Sequence, residues 1–208
     1  MTSVLTELPI ARSDHIFHEM QYDGRHTLTF RHVMLTGVVG FALGDQHSMI
    51  LTQDGSVWST VATSDAVMNP RRRVGKRFVC MISSGAKAVA AGTSHTIALK
   101  QDGSVLALGS NYRGQLGDGT RLKKEKFFLV QVIAGANAIA AKGYHSIILT
   151  QKGKIWLTGW NEYGQLGDGS TTSKTKFSSM VSDGAINVAA GDCHTLVLKQ
   201  DGSVWAAG

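Results

Sequence analysis

Four histidines recur along this chain at nearly equal intervals, and histidine commonly binds metals or transfers protons near neutral pH. They are His47, His95, His145 and His194, which lie 48, 50 and 49 residues apart. A zinc ion needs its ligands about 2.0–2.1 Å from one centre. Histidines that each belong to a different structural unit do not converge in that way, so we predict no metal site. We interpret each one as a structural residue that bonds the backbone of a turn inside its own unit.

Cationic side chains form a second candidate site, in two segments. The first segment holds Arg71, Arg72, Arg73, Lys76 and Arg77, and the second holds Arg121, Lys123, Lys124 and Lys126. The net charge of +6 and the isoelectric point near 9.4 favour acidic partners in general. If both segments reach one rim of the fold, they form a basic edge that contacts nucleic acid or an acidic protein surface. The alternative interpretation is a solvated loop or a localisation signal.

No residue pattern in the chain is typical of covalent or metal catalysis. In His15-Ile-Phe-His18-Glu19 the order of the residues differs from both common zinc-protease motifs. The repeated Gly-Gln-Leu-Gly-Asp-Gly lacks the Lys-Ser/Thr ending of a phosphate-binding loop. Asp118 and Asp168 lack the neighbouring carboxylates that a calcium site needs. We therefore predict that the protein is not an enzyme and uses no cofactor.

The periodic histidines belong to a longer repeat. Four windows of 21 residues align without a gap, at 41–61, 89–109, 139–159 and 188–208. The second and the fourth are identical at 15 of 21 positions. Sequence similarity at a fixed period of this length is typical of solenoids and propellers.

Each window has the pattern of a β-hairpin. An Asp-Gly pair, or Lys-Gly in the third window, separates two apolar runs and predicts a tight turn at Gly55, Gly103, Gly153 and Gly202. The run before the turn is apolar on both faces, as in Ile97, Ala98 and Leu99. A strand of this kind is covered on both sides. A short alanine-rich run before each hairpin indicates a further strand.

A second motif follows two of the hairpins. The segments 111–119 and 161–169 read Asn-Tyr-Arg-Gly-Gln-Leu-Gly-Asp-Gly and Asn-Glu-Tyr-Gly-Gln-Leu-Gly-Asp-Gly, and agree at 7 of 9 positions. The glycines indicate backbone conformations that other residues avoid. We expect Leu116 and Leu166 to fill the seam between neighbouring units.

The hairpin and the second motif, in this order, resemble the repeat of the regulator of chromosome condensation family over about residues 41–208. The resemblance implies a β-propeller of four-stranded blades, of which the family usually has seven. We therefore predict an all-β fold, a partial β-propeller with a period of about 49 residues. Residues 1–40 do not fit the repeat and are predicted to form a diverged hairpin or a cap.

The length of the chain bears on how much of a propeller it forms. Seven blades of about 50 residues need roughly 350 residues, so we expect a fragment of a longer ring; the alternative is an open arc of about four units. Cys80 and Cys193 are not spaced as a metal-binding pair and are expected to be reduced thiols. No signal peptide or membrane-spanning stretch is recognised, which predicts a cytoplasmic or nuclear protein that does not bind a membrane.

The function predicted from these observations is a non-enzymatic repeat module that binds another protein through its rim loops. The resemblance also implies an alternative, guanine-nucleotide exchange on a small GTPase of the Ran type, with contact to chromatin or nucleic acid. A second alternative is the partner-recruiting part of a ubiquitin ligase or of a multidomain regulator.

Overall fold

The structure is a computed structural model, and it describes residues 36–45, 47–60, 78–130, 133, 135–180 and 183–208. All regular secondary structure in these residues is β-strand. No helix among them could cross a membrane. The strands are β1 (Val38–Leu43), β2 (Ser48–Thr52), β3 (Val57–Thr60), β4 (Phe78–Ile82), β5 (Ala86–Ala91), β6 (His95–Lys100), β7 (Val105–Gly109), β8 (Lys124–Leu129), β9 (Ala136–Lys142), β10 (His145–Thr150), β11 (Ile155–Gly159), β12 (Lys174–Met180), β13 (Ala185–Ala190), β14 (Thr195–Lys199) and β15 (Val204–Ala207).

The strands form antiparallel sheets in which each strand pairs with the next one along the chain. Strands β1–β4, β5–β8 and β9–β12 make three four-stranded sheets, and β13–β15 make a three-stranded sheet. We call these sheets blades one to four. The predicted all-β fold of repeated blades, a partial β-propeller, is confirmed.

The turn between the second and third strand of a blade follows from its Asp-Gly sequence. In blade two the Asp102 carboxylate accepts hydrogen bonds from the Ser104 amide, at 2.9 Å, and from its hydroxyl, at 2.6 Å. Gly103 adopts a φ of +81°, which L-residues with a side chain rarely reach. The local sequence therefore supplies both the hydrogen bonds and the backbone conformation that close the hairpin.

Neighbouring blades stack face to face, and the core lies in the seams between them. Ile97 and Leu99 of blade two form one apolar cluster with Ile148 of blade three. Ile147 of blade three forms another with Val197 of blade four. Because residues that alternate along β10 face opposite neighbours, both faces of this strand are buried. Burial of one such side chain contributes about 1.5–3 kcal/mol.

The blades begin slightly earlier than the repeat windows. Their first strands, β1, β5, β9 and β13, lie next to one another and start three residues before positions 41, 89, 139 and 188. The predicted boundary at residue 40 thus falls inside β1. The predicted hairpin or cap within residues 1–35 lies outside the described residues, as does the first cationic segment, Arg71, Arg72, Arg73, Lys76 and Arg77.

Candidate interaction surface

The loops of the blades fall on two opposite ends, because the strands within each blade alternate in direction. One end holds the turns between the first and second strands and the long connections between the third and fourth strands. We call this end the linker face, and its two described connections, 110–123 and 160–173, the linker loops. The Asp-Gly turns lie at the opposite end.

The repeated histidines lie at the linker-face end of the second strands. Three of them form hydrogen bonds to the next blade. Nε2 of His47 lies 2.8 Å from the Thr96 hydroxyl, and Nε2 of His95 lies 2.9 Å from the Ser146 hydroxyl. Nε2 of His145 is 3.1 Å from the hydroxyl of Thr195. Our expectation that each histidine bonds a turn backbone inside its own unit is wrong in this respect. The residue after the histidine in the next repeat supplies the partner.

Two of these hydroxyls also donate hydrogen bonds to backbone carbonyls of the linker loops. The Ser146 hydroxyl donates to the carbonyl of Gln115 at 2.8 Å, and the Thr195 hydroxyl donates to that of Gln165 at the same distance. Each hydroxyl has only one proton to donate, so it accepts from the histidine. The ring of His95 is therefore protonated at Nε2 and makes a link between blades two and three.

Burial keeps these rings neutral. Desolvation, followed by repulsion from neighbouring histidines, lowers the pKa of His95 to about 3. Burial also lowers the pKa of His145 to about 4. A glycine leaves room for the ring of His95, whereas Lys142 occupies the equivalent position before His145. A Cβ atom on Gly92 would lie 2.1 Å from Cε1 of His95. His194, in blade four, is more exposed than the other rings.

Each linker loop is held in shape by a buried asparagine. Asn111, 1% exposed, accepts the backbone N–H of Leu116 at 3.0 Å with its carbonyl oxygen. Its amide nitrogen donates to the Asp118 carboxylate at 2.9 Å and to the carbonyl of Thr120 at 3.1 Å. Asn161 repeats this arrangement with Leu166, Asp168 and Ser170. Both asparagines belong to the repeated sequence motif, but the motif alone does not indicate these hydrogen bonds.

Leucines and glycines of the motif seat the loops on the blades. Leu116 is fully buried in the seam cluster of blades two and three, and Leu166 is buried in the next one. Gly117 lies so close to the Phe177 ring that an added Cβ would be 2.3 Å from it. The amide of Gly119 donates to the Thr175 carbonyl of blade three at 2.7 Å. The first linker loop is therefore anchored on two blades.

The aspartates of the motif form ion pairs with lysines at the ends of the linker loops. Lys124 lies 3.1 Å from the carboxylate of Asp118, and Lys174 lies 2.9 Å from that of Asp168. Burial alone would raise the pKa of Asp168. Bonds from Lys174 and Ser170 outweigh burial and lower this pKa to about 2. Both carboxylates thus stay charged at neutral pH and brace the loops.

Four aromatic rings meet on the linker face across the seam of blades two and three. The centroids of Tyr112 and Tyr144 are 5.3 Å apart, and those of Tyr144 and Trp160 are 5.9 Å apart. Trp160 contacts Tyr163 edge-on at 5.2 Å. Tyr112 is 48% exposed and Tyr163 is 61% exposed. We call these four residues the aromatic cluster.

Arg113 lies within the aromatic cluster. Its guanidinium carbon is 5.3 Å from the centroid of Trp160 and 5.9 Å from that of Tyr112. Its Nη1 atom makes a 2.6 Å ion pair with the carboxylate of Glu162. This pair connects the two linker loops. Burial, with Tyr144, raises the pKa of Tyr112 to about 12, so its hydroxyl remains protonated.

The second cationic segment is divided among different contacts. Arg121 donates through Nη1 to the carbonyl of Tyr112 at 2.9 Å, which places it beside the aromatic cluster. Lys123 lies 3.7 Å from the carboxylate of Glu125. Lys124 pairs with Asp118, and Lys126 is exposed on β8. Among these four, Arg121 is the one that contacts an aromatic-cluster residue in the described part of the chain.

Comparison with family models gives two matches, both to the regulator of chromosome condensation (RCC1) repeat. One covers residues 152–198, and the other covers 86–115 and 137–165. These residues hold the hairpins of blades two and three, part of the first linker loop and all of the second. These segments carry regulator of chromosome condensation repeats. The predicted resemblance to this family is confirmed, whereas a search of curated proteins gave no match.

Solved structures of regulator of chromosome condensation-like proteins share the fold. Prp20p from Saccharomyces cerevisiae, studied together with its binding to Gsp1p and histones, is 21% identical, with a TM-score of 0.70 over 81% of this chain and 44% of that one. Human WBSCR16 is 23% identical, with a TM-score of 0.70 over 81% of this chain and 46% of that one. The chain thus spans less than half the length of these structures.

Proposed function

We propose that the protein is a non-enzymatic interaction module that binds another protein through its linker face. The observation that supports this is the contrast within the linker loops. The shared motif positions are buried or half-buried except Asp168 and Gly169, whereas three of the four positions that differ, 112, 162 and 163, are exposed and the fourth, 113, is half-buried. A rigid loop that presents variable side chains loses little conformational entropy on binding.

Lysines on both ends of the blades allow a direct test. Lys123 and Lys142 lie at the linker face, and Lys152 and Lys154 flank the turn of blade three at the opposite end. The chain is incubated with cell extract, treated with an amine-reactive crosslinker, and analysed by mass spectrometry. We expect partner peptides joined to Lys123 and Lys142. Crosslinks confined to Lys152 and Lys154, or a folded chain without crosslinked partners, would contradict the proposal.

Guanine-nucleotide exchange on a Ran-type GTPase is the second candidate function, with chromatin as a further partner. Its support is the shared fold with Prp20p, whose binding to Gsp1p and histones was studied. Release of a fluorescent nucleotide from a Ran-type GTPase is measured with and without micromolar chain. Faster release supports exchange, and an unchanged rate leaves the interaction module as the function. We propose a nuclear or cytoplasmic location on the same basis.

A further inference from the structure

We propose that the aromatic cluster, together with Arg113 and Arg121, is a docking site for an acidic segment of a protein partner. A carboxylate of the partner lies against the two arginines, and an apolar or aromatic side chain lies against the exposed tyrosine rings. This inference rests on the proposed function, because it assigns the partner chemistry of one region of the linker face.

The residues of the site do not recur at equivalent repeat positions. Tyr112 and Arg113 correspond to Glu162 and Tyr163 in the next loop. Trp160 corresponds to Ser110, and Tyr144 to Ser94 and Cys193. Blade architecture therefore does not require these side chains, since equivalent positions in other blades lack them. Side chains that depart from the repeat and remain partly exposed are the ones that we expect to contact a specific partner.

The composition of the site matches that of binding hot spots. Tryptophan, tyrosine and arginine are the side chains most enriched there. Tyr112 and Tyr163 expose about half or more of their surface, at 48% and 61%. Tyr144 contacts Tyr112, Trp160 contacts Tyr163, and Tyr144 and Trp160 contact each other. The exposed rings are therefore held in place before a partner arrives, which lowers the entropy that binding costs.

Charge identifies the partner as acidic. Arg113 lies over the rings and forms an ion pair with Glu162 through Nη1. Arg121 donates a hydrogen bond from Nη1 to a backbone carbonyl. Arg121 has no ion pair among the described residues. A guanidinium group carries five N–H donors, so each arginine keeps donors for a carboxylate. Planar guanidinium groups bind carboxylates with two parallel hydrogen bonds.

Ring orientation favours a protein over single-stranded nucleic acid. Nucleic-acid platforms offer open ring faces on which successive bases stack. Here Tyr144 meets Trp160 at 77°, and Trp160 meets Tyr163 at 90°, so these neighbouring rings do not form parallel platforms for successive bases. The Glu162 carboxylate is paired with Arg113 and does not by itself distinguish phosphates from carboxylates.

The experiment selects peptides from a random twelve-residue phage library on the immobilised chain. We expect enriched sequences to contain several Asp or Glu residues near an aromatic or large aliphatic residue. Synthetic copies are then titrated by fluorescence anisotropy. The variants Tyr112→Ala and Arg121→Glu should each weaken binding about tenfold or more, a change of about 1.4 kcal/mol per factor of ten. Arg113→Lys, which keeps the charge and loses the planar fork, should weaken it less than Arg113→Ala.

The matched control is Lys152→Glu, an equal charge change at an exposed position on the opposite face. It should leave peptide affinity unchanged. Thermal melts of all variants show whether any loss of binding is loss of fold, and the exposed Arg121→Glu keeps the test valid if Tyr112→Ala unfolds. Raising salt from 50 to 300 mM should weaken binding several-fold, because the contact is between charges.

Several outcomes would overturn the docking site. They are recovery of no peptide, selection of peptides without acidic residues, affinity that Tyr112→Ala and Arg121→Glu leave unchanged, or tighter binding of a twenty-residue oligothymidine than of the peptides. Peptides that lose affinity on other linker-face substitutions alone would reject this site and keep the proposed function. Crosslinks confined to the opposite face would reject the proposed function itself.

Discussion

His47, His95 and His145 each place Nε2 against a hydroxyl of the following blade, and the hydroxyls of Ser146 and Thr195 donate onward to a linker-loop carbonyl. A ring that faces a hydroxyl whose proton is already donated elsewhere must carry a proton at Nε2, and the neutral Nε2–H form meets this need. Protonation adds a charge that the surroundings do not solvate, which explains the low pKa values of His95 and His145. At the residue scale, the repeated histidine therefore makes the stability of the contact between blades depend on pH.

Stability should fall as the pH is lowered from 7.5 to 5.0. The unfolded histidines have a pKa near 6.5, and the folded His95 and His145 have values of about 3 and about 4. Between these values the unfolded state binds more protons, so acid favours unfolding. Each ring should lower the free energy of unfolding by about 2 kcal/mol at pH 5.0, because each pH unit below the unfolded pKa contributes about 1.4 kcal/mol. Urea unfolding followed by tryptophan fluorescence measures the loss.

The control is His95→Gln, which retains a side-chain donor and removes one titrating group. Its free energy of unfolding should change by about 2 kcal/mol less than that of the wild type over the same pH range. Equal free energies of the wild type at pH 7.5 and 5.0 would show that the histidines titrate alike in both states.

At the element scale, the linker loops are held in shape by buried hydrogen bonds. One buried asparagine accepts a hydrogen bond from the backbone amide of a leucine and donates one to an aspartate carboxylate, as Asn111 does with Leu116 and Asp118. Three glycines with positive φ, at 114, 117 and 119, permit the path of the first loop. Positions 112 and 113 differ in type from their equivalents in the second loop, and the proposed docking site lies there.

Replacing the asparagine should therefore destabilise the whole assembly. Asn111→Ala leaves the Leu116 amide and the Thr120 carbonyl without this partner, and each lost bond to a buried group costs about 1–3 kcal/mol. We expect a loss of about 2–5 kcal/mol in urea unfolding. Leu122→Ala, in the same loop and 67% exposed, should change the free energy by less than about 0.5 kcal/mol. Equal effects of the two variants would show that Asn111 does not organise the loop.

At the scale of the whole molecule, stability arises between blades. The middle strands β6 and β10 are buried on both faces, because each blade covers the next. The outer positions lack this cover: Phe41 of β1 is 73% exposed and Val204 of β15 is 64% exposed. In repeat proteins of this kind, stability is close to a sum over blades and their interfaces.

Hydrogen exchange should follow this gradient. In the chain of residues 1–208, amides of β6 and β10 should exchange slowest, and amides of β1 and β15 fastest among the described strands. Exchange followed by mass spectrometry at peptide resolution measures this order. Uniform protection of all strands would indicate that the blades unfold as one cooperative unit rather than from the outer strands inward.

The amino-acid sequence by itself determined the repeated hairpins, their Asp-Gly turns, the doubly buried middle strands and the family. These features depend on signals that act within a few residues: glycine at positive φ, alternation of side chains along a strand, and a fixed period. The partner of each histidine depended on the tertiary structure, because it lies one blade further on, about 50 residues away in sequence. The meeting of Tyr112, Tyr144 and Trp160 did so too. Periodicity describes what repeats, and only the stacking of blades decides which of the non-repeated side chains come together.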